Sequence, residues 1–407
     1  MFLRHASSLF RNLMTVNHDL PHCEPARNPL AAPARSPLAA PIVHIMRRSV
    51  GTAPALGKIR AKKLVGIWLD GVALFKNLAL ARWGTPYRNP MAIFLADISA
   101  LQLWFGPDCG IRMPQPLERL QAFSGASANV RDIPRDQVRL LGLRGPLHVA
   151  IPTHSKQRNS RSLVSHVCTS PTPRTFTRLS ADVYTETPIA ALIRVAPRLT
   201  HGSLAMLLSQ LMGTYQPTNT GLIQRRPLAT RAEIEAYVEA SIGIKGSKSV
   251  RQMLKYVPDL LASPAEAQAA ALLLLPVQWG GKGLPMPEAN GEIVVGTNHF
   301  ERKRYADLIW REHNLILEYD SDAFHVGAEK LHADALRRTQ LQAAGYTVVT
   351  LTKNQLDDTE AFDCLVGALR HAMGKGPRPR AVPSNTQRES RLRNELKAFQ
   401  YEGLLHL

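Results

Sequence analysis

Residues 304–351 read RYADLIWREHNLILEYDSDAFHVGAEKLHADALRRTQLQAAGYTVVTL, and the fold is decided there. Tyr305 to Trp310 and Asn314 to Tyr319 are short apolar runs rich in β-formers, and Arg311-Glu312-His313 between them is long enough for a hairpin turn. Side chains alternate across a strand, so Glu318 and Asp320, two apart, share a face. A hairpin register that sets Asp307 beside Glu318 gathers three carboxylates at the end of a sheet, the hard oxygen donors that Mg²⁺ or Mn²⁺ prefers. Carboxylates crowded in this way repel one another without a cation, which itself argues for a metal. The spacing then predicts a helix over 328–344, closed by Gly345, with Leu331, Ala335 and Leu341 inward, and a buried strand through Val348, Val349 and Leu351.

The order of polar residues is more specific than the strands. Glu318 follows Asp307 by eleven positions, and Asp320, His325, Asp334 with Arg337, and Gly345-Tyr346 come after it. This order resembles the very-short-patch-repair-endonuclease-like branch of the PD-(D/E)XK, or restriction-endonuclease-like, superfamily. The resemblance implies an α/β fold, a mixed sheet flanked by helices, and hydrolysis of DNA phosphodiester bonds with Mg²⁺ or Mn²⁺ as cofactor. It makes Asp307, Glu318 and the backbone carbonyl of Tyr319 the metal ligands and sets Asp320 in the place of the usual lysine. His325, Asp334 and Arg337 match accessory polar positions, Arg337 bracing the acidic cluster or contacting phosphate. In the family a helix before the first core strand offers a glutamate to the site, and Glu266 occupies that place; a first-turn Glu can also simply complement the helix dipole. Two departures stand out: Glu-x-Asp lacks the lysine that usually positions the attacking water, and Ser321 replaces the Gly that often follows.

Charge points to a polyanionic partner. The chain of 407 residues carries 50 Lys+Arg against 32 Asp+Glu, too basic for an average cytosolic enzyme. Residues 297–356 hold eight of each sign, whereas residues 1–90 hold 13 basic against 3 acidic, as expected if flanks grip phosphate while the core commits its acids to metal. Lys156, Arg158 and Arg161 lie in a polar loop, 153–161, that suits DNA phosphate. Cys23, Cys109, Cys168 and Cys364 lie far apart, without CxxC or clustered histidines, so neither a zinc site nor a disulfide framework is indicated and reduced, cytoplasmic thiols are expected.

Along the chain, prolines at 21, 25, 29, 33, 37 and 41 and the near-repeat NPLAAPARSPLAAP mark a low-complexity segment, expected to be disordered to about residue 60. Leu64 to Leu80, interrupted by Asp70 and Lys76, reads as a short amphipathic helix rather than a membrane span. No ordinary signal peptide fits, and the compositional break before Met91 is what an over-extended start site would leave. Beyond it, Ile93 to Ile133 reads as a helix, a loop and short elements, with a capped helix or turn in DIPRDQVRLLGL. Strands are expected at Leu147 to Ile151, Leu163 to Cys168 and Glu292 to Val295. Helices are expected at Pro188 to Leu199, His201 to Met212, Arg231 to Ser241, Ser249 to Leu261, and from Ser263-Pro264 to Leu275, with a polar linker over 216–230. The features HVAIP, THSKQR, VYTETPIAALIRVA and LLSQLMGTY resemble, weakly, the C-terminal domain of abortive-infection-type antitoxins, which implies an antitoxin-type protein partner.

The organisation expected is a basic extension, 1–90, a smaller accessory α/β domain, 91–250, a nuclease-like domain, 251–373, and a basic tail, 374–407. The function expected is a metal-dependent endonuclease acting on DNA, with no membrane association. The alternative is a non-catalytic DNA-binding or antitoxin-like regulator that uses the nuclease fold only to bind.

Overall fold

Strand β1 (Ile93–Leu95) is central to a five-stranded sheet, parallel to β5 (Val183–Glu186) and antiparallel to β2 (Leu147–Ile151). Strands β3 (Leu163–Val167) and β4 (Phe176–Arg178) complete the order β3-β2-β1-β5-β4. This computed structural model describes residues 92–106, 116–117, 121–129, 141–180, 182–218, 221–296, 301–320, 328–376 and 383–399. The expectations for residues 1–90, for most of DIPRDQVRLLGL, and for Ser321 and His325 lie outside them.

Helices α1 (Asp97–Phe105) and α2 (Pro188–Val195) pack on this sheet and on each other. The Thr187 side chain caps α2 by accepting from the Ala190 amide, with Pro188 in the first turn. The helix stops at Val195 and tightens into a 3-10 turn over Ala196–Arg198, short of the expected Leu199, where Pro197 supplies no amide hydrogen. Helix α3 (His201–Met212) runs as expected. Next comes a hairpin of β6 (Tyr215–Thr218) and β7 (Gly221–Gln224) in place of the expected polar linker. Its polar Gln216 is buried because the side-chain amide donates to the Gly106 carbonyl. A Thr230/Glu233 capping box opens α4 (Arg231–Ala240). Helix α5 (Ser247–Leu254) is shorter than the expected run to Leu261, since Pro258 disfavours helical backbone in the residue before it.

Helix α6 (Pro264–Leu274) is buried on nearly every side, as its Ala and Leu run requires. It leads to a second sheet of β8 (Glu288–Val295), β9 (Arg302–Trp310), β10 (Leu315–Asp320) and, after helix α7 (Ala328–Ala343), β11 (Thr347–Thr352). The order is β11-β10-β9-β8, with β8, β9 and β10 antiparallel in turn and β11 parallel to β10. The β9–β10 turn is a 3-10 turn at Arg311–His313 followed by Asn314 at φ 46°, a conformation asparagine tolerates. On α7, Leu341 is buried but Ala335 is exposed, contrary to expectation. Six residues on a helix of 3.6 per turn leave the two about 120° apart, so they cannot share a face.

Helices α8 (Lys353–Asp357), α9 (Thr359–Ala372) and α10 (Pro383–Ala398) follow. The stretch read as a basic tail therefore holds α10, which lies against α3 and α6 with Leu392 and Leu396 buried. The Lys282 ammonium, fully buried, is paired with Asp363 and, at 2.6 Å, with Glu389 of α10. One hydrophobic core joins Trp104, Leu207 and Leu211 to Leu273, Leu308, Leu315, Phe362 and Leu396. All described residues belong to a single compact unit, 66–407. Among them, no helix is long and apolar enough to cross a membrane.

Candidate metal-binding carboxylate site

The hairpin register brings Asp307 and Glu318 near each other. Strand β9 pairs with β10 through Leu308↔Leu317, and one further step along the ladder sets Asp307 opposite Glu318. The Asp307 Oδ2 accepts a hydrogen bond from the Tyr319 amide at 2.7 Å, which fixes the carboxylate at the end of the pairing. Glu318 and Asp320 sit two apart at the end of β10, beside β11, where Asp320 pairs with Thr352. Asp320 is half-buried.

Glu266 closes the start of α6 and lies near Asp307. Its carboxylate caps the start of α6, accepting from Ser263 Oγ at 2.7 Å and from the Ala262 amide at 2.8 Å. It also lies close enough to Asp307 for the two charges to repel. Burial, then Asp307, push the Glu266 carboxyl above its ordinary range. Burial raises Asp307 as well, against the pull of the Tyr319 amide and of Arg337. Glu318 is raised by burial, an effect that Arg337 opposes and Asp307 reinforces. Three acids raised by burial, two of them also by the charge of Asp307, form a site that a cation would relieve.

Arg337, on α7, lies against the cluster. One guanidinium nitrogen lies 2.8 Å from Glu318 Oε1 and 2.6 Å from the Tyr305 carbonyl oxygen. The Glu318 contact is off the axis of a directed hydrogen bond, so this buried oxygen has charge nearby but no hydrogen-bond partner. Carboxylate oxygens are the donors a hard divalent cation takes: Asp307 and Glu318 would hold it, with Glu266 and Asp320 at the margin. The fit is incomplete, because Glu266, Asp307 and Glu318 do not close to mutual ligand distances within 4.8 Å.

The loop expected to meet DNA connects the parallel strands β2 and β3 and folds back on β3, where the Arg158 amide donates to Ser165 Oγ at 3.0 Å. Arg158 and Arg161 are exposed. Lys156 is half-buried and donates to the Ser124 carbonyl at 2.7 Å, so its ammonium is partly committed to the protein.

A second cluster was not legible in the sequence. His148 on β2 and His166 on β3 are diagonal neighbours on one sheet face, since His166 pairs with Ala150. Their Nδ1 and Nε2 atoms are 2.9 Å apart. Asp97, fully buried at the start of α1 with φ 56°, places Oδ1 at 3.4 Å from His148 Nδ1 and Oδ2 at 3.7 Å from His166 Nδ1. Arg198 reaches Asp97 Oδ1 at 2.6 Å, and the Asp97 amide donates to Glu186 Oε2 at 2.9 Å. Glu186 is in turn paired with Arg194. Burial alone would raise the Asp97 carboxyl, but His148, His166 and Arg198 outweigh it and hold the group well below the carboxylate range. Burial also pushes the His166 imidazole down to about 4, despite the pull of Asp97. The absence of clustered histidines was thus true only of the linear chain. The six residues are spread from 97 to 198, and no spacing signal could have joined them.

No protein-family model matches the chain, and no solved structure does. Two Mycobacterium tuberculosis proteins are similar to part of it: uncharacterized protein MT2308 of strain CDC 1551 / Oshkosh and uncharacterized protein Rv2248 of strain ATCC 25618 / H37Rv. Each is 28% identical over 121 residues, which cover 30% of this chain and 41% of the relative.

Proposed function

We propose that the chain is a metal-dependent endonuclease that hydrolyses DNA phosphodiester bonds, built on a restriction-endonuclease-like fold. The observation that carries this reading is the hairpin contact in which Asp307, opposite Glu318, accepts from the Tyr319 amide. It is supported by the mixed sheet of β8 to β11, with α6 before it and α7 between β10 and β11, because a mixed sheet flanked by helices is what the very-short-patch-repair-like resemblance implies.

A bound Mg²⁺ or Mn²⁺ supplies an acidified water and polarises a phosphoryl oxygen. The chain's own residues hold and orient. Asp307 and Glu318 present carboxylates from neighbouring strands, and the Tyr319 amide prevents Asp307 from turning away. Glu266, anchored by Ser263 and Ala262, keeps a third acid at the rim. Arg337 braces Glu318 and is placed to meet a phosphate when that brace is exchanged, because a guanidinium keeps its charge throughout. Asp320 stands where the family's lysine would, so water positioning falls to an acceptor rather than a cation. The surplus of basic residues outside the core suits a DNA partner, and the accessory sheet with its exposed Arg158 and Arg161 is the surface proposed to grip it.

One observation favours the second reading, a DNA-binding or antitoxin-like regulator without catalysis: Arg337 already lies against Glu318, where a metal would need access. Plasmid cleavage with Mg²⁺ or Mn²⁺, compared with chelator, separates the two. Metal-dependent nicking or linearisation that disappears in Asp307→Asn supports the nuclease. Retained DNA binding with no cleavage in either metal leaves the regulator.

A further inference from the structure

We propose that Asp97, His148 and His166 form a binding site for a divalent ion of the zinc, cobalt or nickel class, on the accessory sheet and independent of the carboxylate cluster on β9 and β10. Each of the three residues offers a ligand atom, and these atoms lie within 4.8 Å of one another. The His148 Nδ1 to His166 Nε2 separation is 2.9 Å and the His148 Nδ1 to Asp97 Oδ1 separation 3.4 Å. Ligands about 2.0 to 2.1 Å from a tetrahedral zinc are about 3.3 Å from each other, so binding needs the two imidazole nitrogens to part slightly and Asp97 to present Oδ2, the oxygen that Arg198 leaves.

A second observation points the same way. Asp97 Oδ2 is buried with no hydrogen-bond partner, an expensive omission for a carboxylate whose other oxygen is served by Arg198. Arg198 and the Ile98 amide both engage Oδ1, which orients the carboxylate and leaves Oδ2 toward the His166 side. The positive φ of Asp97 is a cost that its surroundings impose, through the Asp97 amide bond to Glu186 and the Ala96 amide bond to the His148 carbonyl. The histidine side chains keep 12% and 19% exposure, so the cluster is not sealed from solvent.

The donor set selects the metal class. Two carboxylates, Asp97 and Glu186, are balanced by Arg194 and Arg198, so the site has no net negative charge to attract a hard cation. Mg²⁺ depends on that charge and on oxygen donors, whereas imidazole nitrogens suit zinc, cobalt and nickel. Without an ion, the same residues are only a hydrogen-bonded brace between α1 and the sheet.

The test uses the full chain, stripped with chelator and returned to chelator-free buffer, titrated with Co²⁺ and followed by visible absorption, with Zn²⁺ as competitor. One equivalent of Co²⁺ that Zn²⁺ displaces and excess Mg²⁺ does not is expected, apart from any Co²⁺ that Mg²⁺ competes away. It should persist in the Asp307→Asn/Glu318→Gln double variant and weaken on the order of 100-fold in His148→Gln and in His166→Gln. Even a residue that only supports a ligand is commonly worth about 10 to 100-fold. Glutamine keeps hydrogen-bonding capacity, and a variant-free measurement covers misfolding: Zn²⁺ should protect His148 and His166 from diethylpyrocarbonate, located by mass spectrometry. Absence of Co²⁺ binding by the folded chain, binding lost only in the Asp307→Asn/Glu318→Gln variant, or equal histidine modification with and without Zn²⁺ would overturn the proposal. None of these outcomes bears on DNA cleavage, so the two readings fail separately.

Discussion

The Tyr319 amide donates to Asp307 Oδ2 at 2.7 Å, a bond from the backbone of one strand to the side chain of its neighbour. It holds a half-buried carboxylate at the point where the β9–β10 pairing runs out, one ladder step beyond Leu308↔Leu317. Where β10 leaves the ladder, β9 carries on beside β8, so Asp307 stays fixed by its strand while its carboxylate is turned to the Tyr319 amide, and the predictions for the site depend on that position.

If Asp307 and Glu318 share one ion, Asp307→Asn and Glu318→Gln should each reduce Mg²⁺-dependent cleavage on the order of 100-fold or more, since metal assistance is worth several kcal/mol of barrier. The double variant should lose little beyond either single one. DNA affinity, measured by fluorescence anisotropy, should hold or tighten, because acidic charge near phosphate is removed. Additive losses would show that the two acids act separately.

The pH dependence follows from the raised carboxyls of Glu266, Asp307 and Glu318. Between the ordinary carboxyl range and the raised values, the folded chain binds more protons than the unfolded chain, so in chelator these groups make stability fall as pH rises through that window. Asp307→Asn removes one of them. The variant's thermal midpoint should therefore gain on wild type as pH rises from the ordinary carboxyl value, about 4, through the raised one. A constant difference across that range would reject a raised Asp307. Mg²⁺ binds the ionised form, so its stabilisation of wild type should grow with pH over the same interval.

Helix α10 is tied to the core through buried Lys282, which meets Asp363 and Glu389. Lys282→Met leaves Glu389 with Arg393 alone and should cost about 3 kcal/mol, the scale for removing one partner of a buried pair. Urea unfolding measures it. A loss below about 0.5 kcal/mol would mean that the pair contributes no more than a surface ion pair.

On the accessory sheet, Arg158→Ala and Arg161→Ala should each lower the slope of log K against log salt by about 0.9 if each meets one phosphate. Lys156→Ala should change it less, since that ammonium is bonded to the Ser124 carbonyl. Equal effects of all three would mean that the Ser124 contact gives way on binding.

Much of the second sheet could be read from residues 304–351. Alternation set which faces Glu318 and Asp320 share, and Arg311-Glu312-His313 marked the turn, because strand period and turn chemistry are local properties. The cap of α6 at Ser263 was equally local. What only the tertiary structure decided were pairings between distant segments. The ladder sum that sets Asp307 against Glu318 depends on one residue of register, and the inward face of α7 depends on which side meets the sheet. Helix α10, polar along most of its sequence, is held by two leucines and a buried lysine more than a hundred residues away. The Asp97, His148 and His166 cluster is the extreme case. Its members carry no mutual spacing, and they meet only because β2 and β3 pair in parallel beside the start of α1, a contact that burial and long-range backbone hydrogen bonding select and no local pattern encodes.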